Sequence, residues 1–403
     1  MTRIEIPFHR PSIGPEEIDE VVRTLKSGWL TTGPRTSEFE QALGSYVGAP
    51  YAQAVNSCTA GLHLSLAAME IGPGMEVITT PLTFCATVNV ILHVGATPVL
   101  ADVGPDGNID PESLLSRLTP RTRAIIPVHL AGLPCDMRTI WRVARDRRLF
   151  VIEDAAHAIG AHYRGSPVGA GDPSAGTYSD SAVFSFYATK NLTTGEGGMI
   201  VAHNEAFAEK ARILCLHGLS KTAWNRYAGR GRWYYEVLVP GFKCNLTDVQ
   251  SSLGLHQLRK LESFIEIRTR YARLYHDLLA DAEEFELPPD RADCRHAWHL
   301  YMLRLNLEKI AIGRDEFIEA LQDRGIGASV HFIPIPLHPF FARYARLAEN
   351  QCPRALALYP RLVSLPLYPA MSEGEVEYVA RTAKDIARGA RRKHPIAVAA
   401  STP

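Results

Sequence analysis

Lysine is scarce in this chain: nine residues against 34 arginines in a sequence of 403. Net charge is missing as well. Lys+Arg and Asp+Glu both total 43, so no global positive field draws the chain to nucleic acid. No stretch approaches the roughly 20 apolar residues of a membrane span, and the N-terminus has no apolar signal-peptide core. Cysteine is sparse, and the seven residues (Cys58, Cys85, Cys135, Cys215, Cys244, Cys294, Cys352) are odd in number with no CxxC spacing. That pattern argues against a disulfide framework or a zinc site and for reduced thiols. The expectation is a soluble, cytoplasmic protein without a membrane or nucleic-acid partner. A chain of this length also calls for two domains, and no internal repeat is visible.

With so few lysines, the setting of each one carries information. Lys210, Lys260 and Lys384 lie in polar or charged helical runs, where a solvated amine is a sufficient reading. Lys190 instead follows the apolar run Ala182–Phe186 and precedes Gly195-Glu196-Gly197-Gly198, a turn into Met199–Ala202. A lysine at a strand's carboxyl end, shielded by aromatics, loses its proton more easily, because burial disfavours the ammonium. An amine in that state can condense with an aldehyde.

Upstream, Phe150-Val151-Ile152-Glu153-Asp154 reads as a buried strand ending in a carboxylate, followed by Ala155-Ala156-His157. A buried Asp needs a partner, and a protonated pyridine nitrogen is one; capping the next helix is the alternative. A third segment, Asn56-Ser57-Cys58-Thr59-Ala60-Gly61, sets hydroxyls and small residues before an apolar helical pattern. Such a helix start suits a phosphate, although ordinary capping would look the same. An amine for an aldehyde, an acid for a ring nitrogen and a cradle for a phosphate are together what pyridoxal 5′-phosphate requires.

Strand candidates Glu76–Thr80, Thr97–Asp102, Arg123–His129, Leu149–Glu153, Ala182–Phe186 and Met199–Ala202 alternate with helical patterns such as Asp136–Arg147. That alternation predicts an α/β fold with a mostly parallel sheet between helices, and ligands beyond the carboxyl ends of the strands. A long helix, Leu253–Leu279, leads to a smaller α/β region with strand Leu300–Leu305 and helix Arg314–Arg324. The predicted division is 1–262 for the large cofactor-binding domain and 263–390 for the small one. Residues 391–403, basic and then Ala/Pro-rich, are expected to form a frayed tail.

The chain resembles the DegT/DnrJ/StrS sugar aminotransferases, within fold type I of the pyridoxal-phosphate enzymes. The resemblance covers about Ile6 to Ala390. It is carried, in the family's order, by Gly28–Pro34, Asn56–Ala60, Thr79–Phe84, Glu153–His157, Phe184–Asn191, Gly241–Asp248, His296–Tyr301 and His331-Phe332. It implies a large domain with a seven-stranded-type sheet, a small C-terminal domain, and transfer of an amino group from L-glutamate to a nucleotide-linked keto sugar. The closest subgroup acts at C4 of UDP-4-keto sugars. Pyridoxamine 5′-phosphate would be the cofactor's aminated form, and a homodimer with shared active sites is implied.

Carried over residue by residue, the resemblance makes Lys190 the catalytic amine and Asp154 the partner of the ring nitrogen. Phe84 and Ala156 would cover the two ring faces, with a core role as the alternative for Phe84. His157 would touch the phenolic oxygen, a helix-facing polar residue being the alternative. Ser57, Thr59 and Ser185 would hold the phosphate, with Cys58 among the cofactor-binding residues, joined by Lys243 or Asn245 from the partner subunit; many family members have asparagine where Lys243 stands. Trp29, Thr31, Gly33, His331 and Arg232 fall on the substrate side. For His331 simple packing stays open, and for Arg232, in a loop with Arg226 and Arg230, a solvated position does. His296 and His299 have HxxH spacing but no third ligand, so no metal is expected. The segment Gly169–Tyr178 is longer than the usual family connection and reads as a surface loop. Lys190 argues against the family's dehydratase branch, which carries histidine there. The intact set argues against a silent sensor, and the lack of an obvious loop cysteine against a desulfurase. A 3-keto sugar or a cyclitol ketone remains the alternative acceptor.

Overall fold

Apolar runs such as Ala182–Ser185 show no polar face to water, so such strands are stable only with both faces covered. The computed structural model describes residues 5–172, 178–220, 234–344 and 347–392. Its strands are β1 (Tyr51–Val55), β2 (Glu76–Thr79), β3 (Thr97–Leu100), β4 (Thr122–Ile126), β5 (Phe150–Asp154), β6 (His162–Tyr163), β7 (Ser166–Pro167), β8 (Ser181–Ser185), β9 (Gly198–Ala202), β10 (Phe285–Glu286), β11 (Cys294–Arg295), β12 (Tyr301–Leu305) and β13 (Leu362–Leu365). Seven of them form one sheet in the order β1-β9-β8-β5-β4-β2-β3. The pairs from β8 to β3 are all parallel, while β9 runs antiparallel to both of its neighbours. The α/β expectation therefore holds. Strand β1 was not anticipated, because Tyr51-Ala52-Gln53 is short, partly polar and half-buried at the sheet's edge.

The helices are α1 (Pro15–Ser27), α2 (Pro34–Val47), α3 (Cys58–Ala68), α4 (Ala86–His93), α5 (Pro111–Arg117), α6 (Met137–Arg147), α7 (Glu205–Cys215), α8 (Asp248–Leu279), α9 (Arg314–Gln322), α10 (Pro353–Leu358) and α11 (Glu373–Gly389). Helix α8 begins five residues before the expected Leu253. Thr247 and Gln250 form a reciprocal cap that satisfies its first backbone donors. Its first half packs Leu255, Leu261 and Ile265 against Phe39, Phe184 and Phe186 under the large sheet. Its second half packs Tyr271, Tyr275 and Leu279 with Tyr301, Leu303, Val363 and Val379 around the antiparallel sheet β10-β12-β13. We place the division between the two bodies inside α8, where its contacts change from one core to the other. Ile6 joins the second core and bridges to Ile326, so the first described residues cross to the smaller body. No helix among the described residues is long and apolar enough to cross a membrane.

Asp248, the first residue of α8, is buried and ties this helix to the segment before α2. Its carboxylate accepts the backbone N–H groups of Gly33 (2.7 Å) and Thr36 (3.0 Å) and the Thr36 hydroxyl (2.7 Å). Asp248→Ala would strand those donors away from water. Urea unfolding should register a loss of about 2–4 kcal/mol. A loss below about 0.5 kcal/mol, the size of an ordinary surface change, would show that the clamp is dispensable.

Candidate active site

Four chain segments end at one edge of the large sheet. Strands β1, β5 and β8 bring their carboxyl ends there, and the reversed β9 brings its first residue, Gly198, which pairs with Val55 and Ser185. Beyond this edge opens a cavity of about 500 Å³. Gly198 is needed for the close approach: a Cβ there would lie 2.7 Å from the backbone nitrogen of Cys58. The start of α3 can therefore rest directly on β9.

Ser57, Cys58, Thr59 and Ser185 line one end of the cavity. Ser57 is extended and caps α3, its hydroxyl accepting the Ala60 N–H at 3.1 Å. The helix thus presents its positive end and two hydroxyl side chains, an arrangement suited to a phosphate.

Asp154, the last residue of β5, lies deeper. Its carboxylate accepts from the Thr87 hydroxyl at 2.8 Å and the Ala156 N–H at 3.2 Å, and Thr87 in turn meets the Thr83 hydroxyl at 2.8 Å. Burial pushes the carboxyl group above its ordinary range, partly offset by Thr87, Ala156 and Lys190. Among the described residues it forms no salt bridge, so a buried acid faces the cavity without a paired cation. That is an environment a protonated ring nitrogen would relieve.

Lys190 sits in a short turn closed by its own N–H to the Tyr187 carbonyl (2.9 Å). Desolvation lowers its pKa to about 8, with Cys58 and Asp154 pulling the other way. Phe84, 60% exposed, stands at the cavity mouth with its ring centre 6.1 Å from that of Phe332. So much bare aromatic surface beside a cavity offers a stacking face for a flat ring. Ala156 and His157 line the same space. His157 is held neutral by burial first, then by Lys190 and His331. His331 also lines the cavity, 2.9 Å from the Ser364 hydroxyl, its pKa lowered to about 4 chiefly by burial.

The structure thus brings Lys190, Asp154, Ser57, Cys58, Thr59, Phe84, Ala156, His157, Ser185 and His331 together around one cavity. It does not bring Trp29, Thr31, Gly33, Lys243 or Asn245 to the cavity of the same chain. These five form a separate patch. The Lys243 amine contacts the Asn245 side-chain oxygen, the Asn245 side-chain amide donates to the Thr32 hydroxyl at 2.6 Å, and the Asp248 N–H donates to the Thr31 backbone carbonyl. Arg232, with Arg226 and Arg230, lies outside the described residues, as do 173–177 of the Gly169–Tyr178 segment and the tail from 393 onward.

The HxxH pair is not on a helix: His296 stacks on Trp298 at 3.9 Å, while His299 faces the cavity region beside His157. Among the described residues no group of His, Cys, Asp or Glu could hold a metal ion. Thr83, Thr87, Tyr187, Thr189, His299 and Phe332 also line the cavity and were not foreseen in that role. For Thr87 a signal existed, since Thr83 and Thr87 are four apart, the spacing that puts two hydroxyls on one face of a helical turn. The donor set fits a phosphorylated pyridine aldehyde: a helix end for the phosphate, an acid for the ring nitrogen, an amine for the aldehyde and an exposed phenyl for the ring.

Residues 11–384 match the DegT/DnrJ/EryC1/StrS aminotransferase family. The spore coat polysaccharide biosynthesis protein SpsC of Bacillus subtilis is 48% identical over 387 residues, 96% of this chain and 98% of that protein. Among solved structures, the putative sugar aminotransferase Spr1654 from Streptococcus pneumoniae in its PLP form superposes with a TM-score of 0.88 at 34% identity. It covers 96% of this chain and all of that one. Helicobacter pylori PseC, an aminotransferase of pseudoaminic acid biosynthesis, gives 0.88 at 29% identity, with 96% of this chain and 100% of that chain covered.

A lysine with a pKa near 8 is about half neutral at pH 8, where an ordinary lysine, at about 10.4, is almost wholly charged. Trapping of a small aldehyde by borohydride on the cofactor-free protein should therefore be half-maximal near pH 8 at one site. Lys190→Ala should abolish that phase. A single labelling curve centred above pH 10 would contradict the assigned environment.

Proposed function

The chain belongs to the DegT/DnrJ/EryC1/StrS aminotransferase family and is a pyridoxal-phosphate-dependent sugar aminotransferase; from that premise we propose that it moves the amino group of L-glutamate to C4 of a UDP- or dTDP-linked 4-keto sugar. The observation that carries the aminotransferase chemistry is that Lys190 and Asp154 line one cavity together with the start of α3. The acceptor is supported by the Gly241–Asp248 and His296–Tyr301 segments, which resemble members acting on UDP-4-keto sugars.

Asp154 would hold the ring nitrogen, Ser57, Thr59 and Ser185 the phosphate, Phe84 and Ala156 the ring faces, and His157 the phenolic oxygen. When bound, the cofactor supplies an aldehyde that takes up an amino group and a ring that withdraws electrons from it. The chain's own work is to place groups and move protons. Lys190 Nζ, neutral for much of the time near pH 8, is the base that takes a proton from the amino donor and returns one to the product side. Burial disfavours a bare carboxylate at Asp154, so a protonated ring nitrogen against it is favoured over a neutral one. The apolar rim of Phe84 and Phe332 limits water at the reacting centre.

We assign the remaining residues across a homodimer. The partner subunit's Lys243 or Asn245 would complete the phosphate site, and Trp29, Thr31 and Gly33 would face the partner's substrate. The support is that this patch lies outside its own chain's cavity, and that Leu30 and, shortly before Lys243 in the chain, Tyr234, Val237 and Leu238 are exposed apolar side chains. His331 and Arg232 are assigned to the sugar nucleotide. We place the reaction in the cytoplasm, where seven free thiols would stay reduced.

Visible absorbance of the cofactor-loaded protein should bleach on adding L-glutamate, and recover on adding a UDP- or dTDP-4-keto sugar. Lys190→Ala should lower turnover by at least about 10²–10⁴-fold, the usual contribution of a placed acid–base group. Recovery only with 3-keto sugars or a cyclitol ketone would refute the C4 assignment while leaving the aminotransferase chemistry standing.

A further inference from the structure

Two neutral imidazoles face each other beside Lys190, and the backbone decides which nitrogen of each carries the hydrogen. The rings of His157 and His299 lie 4.3 Å apart and both line the cavity. The Ala131 N–H donates to His157 Nδ1 at 3.2 Å. A backbone amide can only donate, so Nδ1 of His157 is bare and its hydrogen is on Nε2. His299 is set the opposite way. Its Nδ1 lies 3.3 Å from the Asn191 side-chain oxygen, and the Asn191 amide nitrogen is fixed by donating to the Ala297 carbonyl at 2.8 Å. The Asn191 oxygen is therefore an acceptor, so His299 carries its hydrogen on Nδ1 and leaves Nε2 bare. Among the described residues neither Nε2 has a hydrogen-bond partner.

The pair is anchored at both ends. Ala131, with φ of 58°, sits in the left-handed region and holds both histidines: its N–H meets the ring of His157, and its carbonyl accepts the backbone N–H of His299 at 2.9 Å. A non-glycine residue keeps that conformation only when its surroundings demand it. Behind His299, the fully buried Arg268 donates to the carbonyls of Trp298 (3.2 Å), His299 (3.3 Å) and Leu367 (2.7 Å). Burial first, then His157, Lys190, Arg268 and His331, disfavour a charge on His299. Asp154 is the carboxylate lining the cavity near this pair, and Glu196 lines it too; the Nδ1 of His299 is on Asn191.

We infer that His157 and His299 form a fixed donor–acceptor pair, in which bare Nε2 of His299 accepts a hydrogen from an N–H or O–H group of the substrate, and Asn191 is the positioning residue that keeps that nitrogen bare. Two sources carry such a hydrogen, the ammonium of the amino donor and a hydroxyl of the sugar. The inference rests on the aminotransferase reading for its substrate. The tautomers can be measured on the cofactor-free chain, independently of that reading.

The test uses the full chain with ¹⁵N-labelled histidine, the His299 signals being assigned by their loss in His299→Gln. In the wild type at neutral pH, NMR should show His299 protonated on Nδ1 alone. Asn191→Asp puts a carboxylate against that N–H, so His299 should become protonated on both nitrogens. The cofactor's absorption maximum should stay in place. One half-reaction, followed by absorbance with L-glutamate alone or with keto sugar on the aminated enzyme, should slow by about 10–100-fold. Slowing with glutamate identifies the ammonium as the hydrogen's source, and slowing with the keto sugar identifies the hydroxyl. In case Asn191→Asp does not fold, His299→Gln and His299→Leu form a second arm. Glutamine keeps an acceptor and should retain several-fold more activity than leucine in the same half-reaction. A wild-type His299 protonated on Nε2, or altered protonation with both half-reactions unchanged, or equal losses in the glutamine and leucine variants, would overturn the proposal.

Discussion

Taking Lys190 and Asp154 out of water governs most of what surrounds them. Burial weakens the hold of Lys190 on its proton and strengthens that of Asp154, so both groups carry their charge less readily here than they would in solution. Each state has a use. The lysine is available as an amine, and the aspartic acid becomes a strong site for any cation brought against it. Thr87 and the Ala156 N–H keep enough hydrogen bonding on the carboxylate to hold it in place without supplying that cation. A direct Lys190–Asp154 ion pair would have quenched both groups. Placing Asp154 at the end of β5 and Lys190 in the turn after β8, with Cys58 also close to Asp154, avoids it.

Sheet topology makes this separation possible. Parallel strands β5 and β8 put Asp154 and Ser185 at the same edge, and the single reversed strand β9 lets the chain return there directly after the lysine turn. Glu196 and Gly197 then come back into the cavity wall, and Gly198 passes under the first turn of α3. Strand β1 closes the arrangement from the other side of β9, delivering Ser57. The phosphate end and the acid end are held at a set distance by backbone hydrogen bonding and not by flexible side chains.

The smaller body adds histidines and aromatics to a cavity that the larger body defines. His299 enters it just before β12, and His331 and Phe332 come from the segment that bonds back to Ser364 at the end of β13. Helix α8 keeps the two bodies in register, with one half in each core and Arg268 pinning three carbonyls of the smaller body to it. Any relative movement of the bodies must therefore bend or shift this helix, which links packing far from the cavity to the position of its histidines.

Much of this was legible from residue order alone. The apolar runs located five of the six parallel-running strands and β9, and the contrast between Lys190 and the solvated lysines singled out the lysine that lines the cavity with Asp154. Asp154, Ser57, Thr59 and Ser185 could be read because strand ends and helix starts are local features, set by neighbouring residues. Short, half-polar β1 was not legible, since an edge strand is stabilised by its partner more than by its own pattern. Nor were Thr87 and His299, whose roles depend on Asp154 and Asn191, 67 and 108 residues away along the chain. The sequence by itself determined which chemical groups the protein owns and the strand ends that carry them. Only the tertiary structure decided which groups meet, which of two nitrogens on each histidine is bare, and that Trp29–Gly33 and Lys243–Asn245 stay out of the lining of their own cavity. Those outcomes depend on hydrogen bonds between distant segments, and such bonds have no local signature in the order of residues.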